Sequence, residues 1–167
     1  MIKKISFREK LFHSTKNRRE YLVFLKDKIN QRVEHQYISI TNTELMYWSE
    51  KEIWLKDYIN NSALSLCDGV GIKIAGIFNK KPIIRYHGPD FFLDVVEYGV
   101  KLGWTHYLYG GKPGVAIQLQ SFLEGKFVGC KIIGLHCPPF EKNPKIGKSV
   151  LDEINLLKPN FLWIGIG

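Results

Sequence analysis

Apolar positions along this chain fall into two alternating patterns, short runs of four to six residues and longer stretches at helical spacing. Residues 17–35 set Tyr21, Leu22, Phe24, Leu25 and Ile29 among charged neighbours, which predicts an amphipathic helix. Residues 37–41, Tyr-Ile-Ser-Ile-Thr, are β-branched and aromatic and predict a strand. Asn42 and Thr43 offer an N-cap for a helix through about residue 58, which Asn60-Asn61-Ser62 breaks. Leu64–Cys67 reads as a buried strand, and Asp68-Gly69-Val70-Gly71 as a tight turn into the next helix. Pro82 and Gly88-Pro89 bracket a short extended piece, residues 83–87. From Asp90 to Leu102, Phe91, Phe92, Val95, Val96 and Val100 recur at helical spacing, and Gly103 supplies a stop. Residues 105–109 form the next strand, followed by Gly110-Gly111-Lys112-Pro113-Gly114 and a helix to about Leu123. Residues 131–135 are a further strand ending at His136-Cys137-Pro138-Pro139. A helix over about 149–157 then leads into a last strand, residues 161–166. Strands alternating with helices predict an α/β domain with a parallel sheet and helices on both faces.

Composition narrows this picture without changing it. With 167 residues, 45% hydrophobic and 24% charged, one globular domain has enough apolar material for a core. Residues 1–36 are expected to be a basic N-terminal segment of the same domain as residues 37–167. No apolar run reaches the ~18 residues of a membrane span, and the N-terminal lysines lack the apolar stretch of a secretory signal. Cys67, Cys130 and Cys137 are odd in number and form no CxxC pair, so free, mostly buried thiols are expected. The net charge of +8 is concentrated early, with ten basic residues against four acids in residues 1–34. Such a segment suits phosphates or an anionic membrane surface, or is simply a solvated helix face. No nucleic-acid-binding signature accompanies it, so nucleic acid is not an expected partner.

Candidate chemistry gathers at the carboxyl ends of the predicted strands, where open α/β sheets bind ligands. Asp68 sits there with Gly69 and Gly71 beside it, and is either an active-site acid or the N-cap of the helix that follows. Thr41-Asn42, the 110–114 loop and His136 occupy the same edge if the sheet is parallel. In that loop Gly110, Gly111 and Gly114 allow close backbone approach and Lys112 adds charge. It is therefore either a phosphate cradle or a plain loop, and matches neither GxxxxGK[ST] nor GxGxxG. Arg85 is either a surface arginine or a bidentate phosphate contact. His87, His106 and His136 lack metal-ligand spacing and no Asp-x-Asp pair is present, so neither metal nor cofactor is expected. Tyr47, Trp48, Trp54 and Tyr58 read as core or interface before they read as a sugar-stacking platform.

Six segments in this order resemble the WecG/TagA/CpsF glycosyltransferase family. They are Thr41-Asn42-Thr43-Glu44, Cys67-Asp68-Gly69-Val70-Gly71, Arg85-Tyr86-His87-Gly88-Pro89-Asp90, Tyr109-Gly110-Gly111-Lys112-Pro113-Gly114-Val115, His136-Cys137-Pro138-Pro139-Phe140 and Lys158-Pro159-Asn160. The resemblance spans roughly residues 37–167 and implies a Rossmann-like fold. It also implies an inverting, metal-independent transfer of an N-acetylmannosamine-type sugar from a UDP donor to a polyprenyl-diphosphate-linked acceptor. The products of such enzymes feed wall teichoic acid, enterobacterial common antigen or capsule, at the inner face of the bacterial cytoplasmic membrane.

By the same resemblance Asp68 is the general base and Arg85 stabilises the departing diphosphate. Thr41, Asn42, Gly69, Gly71, Gly110, Gly111, Lys112, Gly114 and His136 contact substrate. The family threonine two positions before Asn42 is Ile40 here, which leaves Thr41 to supply a hydroxyl. Family members continue beyond the final strand into a Pro-Lys-Gln-Glu segment and a basic appendage, so this chain is expected to be C-terminally truncated relative to them. A homo-oligomer is expected, to cover the apolar surface left behind. Two alternatives stand beside this reading: a catalytically impaired family member that binds UDP or another protein, and a nicotinamide-dependent oxidoreductase suggested by Gly69-Val70-Gly71 alone.

Overall fold

A computed structural model describes residues 1–32, 36–139, 141 and 145–166. Phe140 of the proline-containing segment and the last three positions of the expected 17–35 helix lie outside them. The chain divides into two compact units, Met1–Phe92 and Leu93–Gly167.

The first unit opens with an antiparallel hairpin, β1 (Lys3–Phe7) and β2 (Lys10–Ser14), that the sequence pattern did not predict. Its two-residue turn puts Arg8 at φ 49° and Glu9 at φ 60°, the left-handed pair a tight hairpin turn requires. Neither residue favours that conformation, so the usual Asn-Gly signal was absent. Tertiary contacts hold the turn instead. Asn60 Nδ2 donates to Glu9 O at 2.9 Å, Asn60 Oδ1 accepts from Leu11 N at 2.8 Å, and Lys56 Nζ reaches Glu9 Oε2 at 2.9 Å. Lys10 is buried and paired with Glu50, which Arg8 also approaches at 3.5 Å. Part of the early basic charge is thus spent on internal pairing rather than displayed as a patch.

Helix α1 (Arg19–Asn30) buries Tyr21, Leu22 and Leu25, as its spacing predicts. Tyr21 closes it onto β2: its hydroxyl donates to His13 O and accepts from Thr15 N, both at 3.0 Å. Strands β3 (Ile38–Thr41) and β4 (Leu64–Cys67) pair in parallel, Thr41 opposite Cys67, and all four residues of β4 are buried. The helix expected between them is two helices, α2 (Thr43–Trp48) and α3 (Ile53–Asn61). The break has local and long-range causes: Ser49 Oγ donates back to Met46 O at 2.7 Å, and Glu50 is drawn to Lys10. Tyr47, Trp48, Trp54 and Tyr58 on these helices are exposed, which excludes the core reading. Helix α4 (Val70–Phe78) follows β4, and residues 83–87 run beside β4 with a single parallel bridge from Arg85 to Cys67. Ile5, Phe7, Phe12, Met46, Cys67, Ile72 and Ile83 form the core.

Helix α5 (Gly88–Val100) contains the division between the units. In the second unit β5 (Thr105–Gly110) lies between β6 (Lys131–His136) and β7 (Phe161–Gly165), all parallel, with helices α6 (Val115–Lys126) and α7 (Lys148–Leu157) completing the alternation. The register slips between His106 and Tyr107, and Tyr107 comes opposite Gly134. A Cβ at Gly134 would lie 2.4 Å from the Tyr107 ring, so the glycine makes room for that ring. The molecule is a mixed α/β protein with parallel ladders, as the alternation predicts, plus one antiparallel hairpin.

Candidate active site

In the first unit the parallel ladder extends one residue past β4, where Asp68 N donates to Thr41 O at 2.9 Å. This bond fixes the Asp68 backbone at the carboxyl edge of the strands. Its side chain does not cap α4: the N-cap is Gly69, with no side-chain hydrogen bond. Instead Arg85 takes hold of Asp68 twice. Arg85 Nε donates to the Asp68 carbonyl, and Nη2 donates to Oδ1 at 3.2 Å. The side chains are 34% and 23% exposed, so the pair lies at the surface of the unit but is shielded enough to hold its geometry. The single bridge from Arg85 to Cys67 and the bond from Tyr86 N to Cys67 O at 2.8 Å set the arginine at that height.

The glycines around this pair have definite tasks. A Cβ on Gly69 would stand 2.9 Å from Thr43 Oγ1, and one on Gly71 3.3 Å from the same atom. The Gly69–Gly71 pair therefore lets the N-termini of α2 and α4 pack together around Thr43. A Cβ on Gly88 would lie 3.6 Å from Asp68 Oδ2 and 3.3 Å from Ile40 Cγ2, so the bare glycine leaves open the approach to the carboxylate oxygen Arg85 does not hold. Thr41 is fully buried and its hydroxyl pairs with Ser39 Oγ at 3.0 Å, facing the interior rather than a ligand. Asn42 is exposed and caps α2, Oδ1 accepting from Leu45 N at 2.8 Å. Cys67, next to Asp68, is no nucleophile: burial pushes its thiol up to about 11. All three cysteines are free.

In the second unit β5 runs into the 110–114 loop. Gly110 has φ 133°, Gly111 φ 75° and Gly114 φ 88°, and Gly111 N donates to Gly165 O at 3.0 Å. Gly114 begins α6 without a side-chain cap, and Gly111, Lys112 and Pro113 are exposed. Val115 N at the start of α6 donates to Lys112 O at 3.0 Å, and no side chain caps the first turn. His136 lies opposite Tyr109 in the β5–β6 register and stacks on it at 5.6 Å. His106 is internal, accepting at Nδ1 from Trp163 Nε1 at 3.1 Å, and burial holds its imidazole down at about 4. Among the described residues no group of three or more His, Cys, Asp and Glu side chains is placed to hold a metal ion.

The profile of the Glycosyl transferase WecG/TagA/CpsF family matches residues 11–167. The chain belongs to that family. It is thus a glycosyltransferase of cell-surface polysaccharide synthesis by descent. The match begins inside β2, so most of the basic N-terminal segment is part of what the family shares.

Within each unit the structure brings together residues that the family resemblance singles out. Asp68, Arg85, Asn42 and Gly69 share one strand edge of the first unit, and Gly110, Gly111 and His136 share one edge of the second. Two members of the first site were missed as site residues by sequence reasoning. Thr43 fills the space between the glycines, and Gly88 keeps Asp68 Oδ2 open. Both lie inside motifs quoted above, but their spacing could not show what each packs against.

Proposed function

We propose that this family member transfers an N-acetylmannosamine-type sugar from a UDP donor to a polyprenyl-diphosphate-linked acceptor, with inversion at the anomeric carbon. The observation that carries the reading is the Arg85–Asp68 pair at the carboxyl end of β4. Asp68 Oδ2, the oxygen Arg85 leaves free, takes the proton from the acceptor hydroxyl as that oxygen attacks the anomeric carbon. The new C–O bond forms as the bond to UDP breaks, the bonding electrons leave with UDP, and the proton stays on Asp68. A guanidinium has five N–H donors. The Nε and Nη2 contacts to Asp68 leave the others for the diphosphate, where negative charge grows in the transition state. Arg85 thus positions the base and faces the leaving group with one planar side chain.

Asn42 at the same edge is a further acceptor or donor contact. In the second unit Gly110, Gly111, Lys112 and Gly114 are the proposed phosphate contact and His136 a base-side or sugar contact. Because the acceptor is lipid-linked, the reading places the chain at the inner face of the cytoplasmic membrane, and it includes a homo-oligomer. Exposed apolar side chains such as Trp54 at 64% support an associating surface.

Calorimetry with UDP and UDP-N-acetylmannosamine, and turnover with a lipid-linked acceptor, test the reading. Wild type binds UDP, Gly111→Glu loses that binding, and Asp68→Asn keeps it while turnover drops by about 10²-fold or more. Turnover unchanged in Asp68→Asn would remove the general-base assignment. Absence of UDP binding by wild type would remove the nucleotide reading.

A further inference from the structure

We propose that the outward face of α4 is a docking surface for an anionic lipid leaflet, and that docking there brings Asp68 to the plane in which a lipid-linked acceptor is presented. The inference rests on the lipid-linked acceptor of the preceding reading and adds the surface that meets it. Helix α4 is apolar on two sides. Ile72 and Gly76 are buried against the unit's core, which accounts for one face. Val70, Ile74, Ile77 and Phe78 recur at i, i+4, i+7 and i+8, a single stripe on the other face. All four are exposed, Ile77 by 61% and Phe78 by 83%. A nine-residue helix with a second apolar stripe in water needs a reason beyond its own core.

Charge identifies the occupant. Lys73 lies within α4, and Lys80 and Lys81 follow directly after its end, all exposed. Between Gly69 and Ile84 there is no acid. An apolar ridge bordered by lysines alone matches acyl chains beneath anionic headgroups: each lysine near such a surface adds about a fivefold gain in binding, and each buried methylene adds more. The helix also starts directly after the catalytic edge, since Asp68 and Gly69 precede its first residue. No helix among the described residues is long and apolar enough to cross a membrane, so the contact would lie in the interface.

Cosedimentation of the whole chain with phosphatidylcholine vesicles, with and without phosphatidylglycerol, tests this, with light scattering and UDP calorimetry in parallel. Wild type binds the phosphatidylglycerol vesicles only, and added salt weakens binding. Ile77→Asp with Phe78→Asp lowers partitioning by more than about tenfold, and Lys80→Gln and Lys81→Gln by about fivefold each. These side chains are solvent-exposed, so both sets fold, and far-ultraviolet circular dichroism checks that they do. No binding to phosphatidylglycerol vesicles overturns the proposal, as does binding that neither variant set changes. A wild-type oligomer that the aspartate pair turns into monomer, with no vesicle binding, overturns it in favour of self-association. UDP binding without vesicle binding removes the docking surface alone. Vesicle binding without UDP binding supports the surface and removes the nucleotide reading alone.

Discussion

At the residue scale, Asp68 is defined by what holds it. A carboxylate at a strand end was legible from Leu64–Cys67 followed by Asp68-Gly69, since a short apolar run and a turn signal are local features. Whether it caps a helix or faces a substrate was not legible, because that depends on Arg85, seventeen positions away. The two contacts from Arg85, with the uncapped start of α4, exclude the cap. They also assign a role to Gly88, whose missing side chain leaves Oδ2 accessible. Gly88→Ala places a methyl 3.6 Å from that oxygen and tightens against Ile40. Turnover should fall on the order of tenfold, because the methyl occupies part of the approach to Oδ2 and misplaces the incoming hydroxyl. UDP affinity measured by calorimetry should stay unchanged, and a matching loss of UDP affinity would count against the role given to Gly88.

Elements show the same division between local and distant causes. Strands β3 to β7 and helices α1, α4, α5, α6 and α7 follow from hydrophobic periodicity, and their observed ends lie close to those expected except that α1 stops at Asn30, short of the expected residue 35. The hairpin β1–β2 does not follow, because Arg8-Glu9 is not a turn sequence and distant Asn60 and Lys56 stabilise it. The α2–α3 break is equally invisible in a pattern that runs apolar through both helices. Glycines in α6 and at its entrance separate backbone need from simple space. Gly110 has φ 133° and a Cβ there would overlap Gly165 O at 2.1 Å, so Gly110→Ala disrupts the β5–β7 edge and costs at least about 2 kcal/mol. Gly125, inside α6 with nothing within 4 Å of an added Cβ, behaves oppositely. Gly125→Ala gains up to about 1 kcal/mol through helix propensity. Urea unfolding of the two variants reads both signs in one experiment.

For the molecule as a whole, two buried imidazoles couple stability to pH. His106 is held at about 4, against an ordinary 6.5, by burial. His13, accepting from Ser65 N at 3.0 Å, is lowered by burial and then by Lys4. Both are neutral in the fold, so the stability they carry is complete above pH 6.5. As the pH falls from there toward 4, the unfolded chain takes up protons the folded chain refuses, and stability drops. His106 alone accounts for about 3 kcal/mol over that window. Urea midpoints should fall steadily from about pH 7 to about pH 4.5, with a shallower slope in His106→Gln. A flat profile would mean that folding does not shift these imidazoles at all.

By itself the sequence determined the alternation of strands and helices from β3 onward, the α2–α3 break apart, the parallel ladders, and the family to which the chain belongs. Those depend on periodicities and motif spacings of a few residues, which neighbouring side chains impose on the backbone. Tertiary structure alone decided that Lys10 is buried on Glu50, that Thr43 fills the space beside Gly69 and Gly71, and that Arg85 grips Asp68. It also decided that Val70, Ile74, Ile77 and Phe78 face water while Ile72 does not. An apolar residue carries no mark of which apolar face will find a partner. A charged one carries no mark of which opposite charge the folded chain will bring within reach.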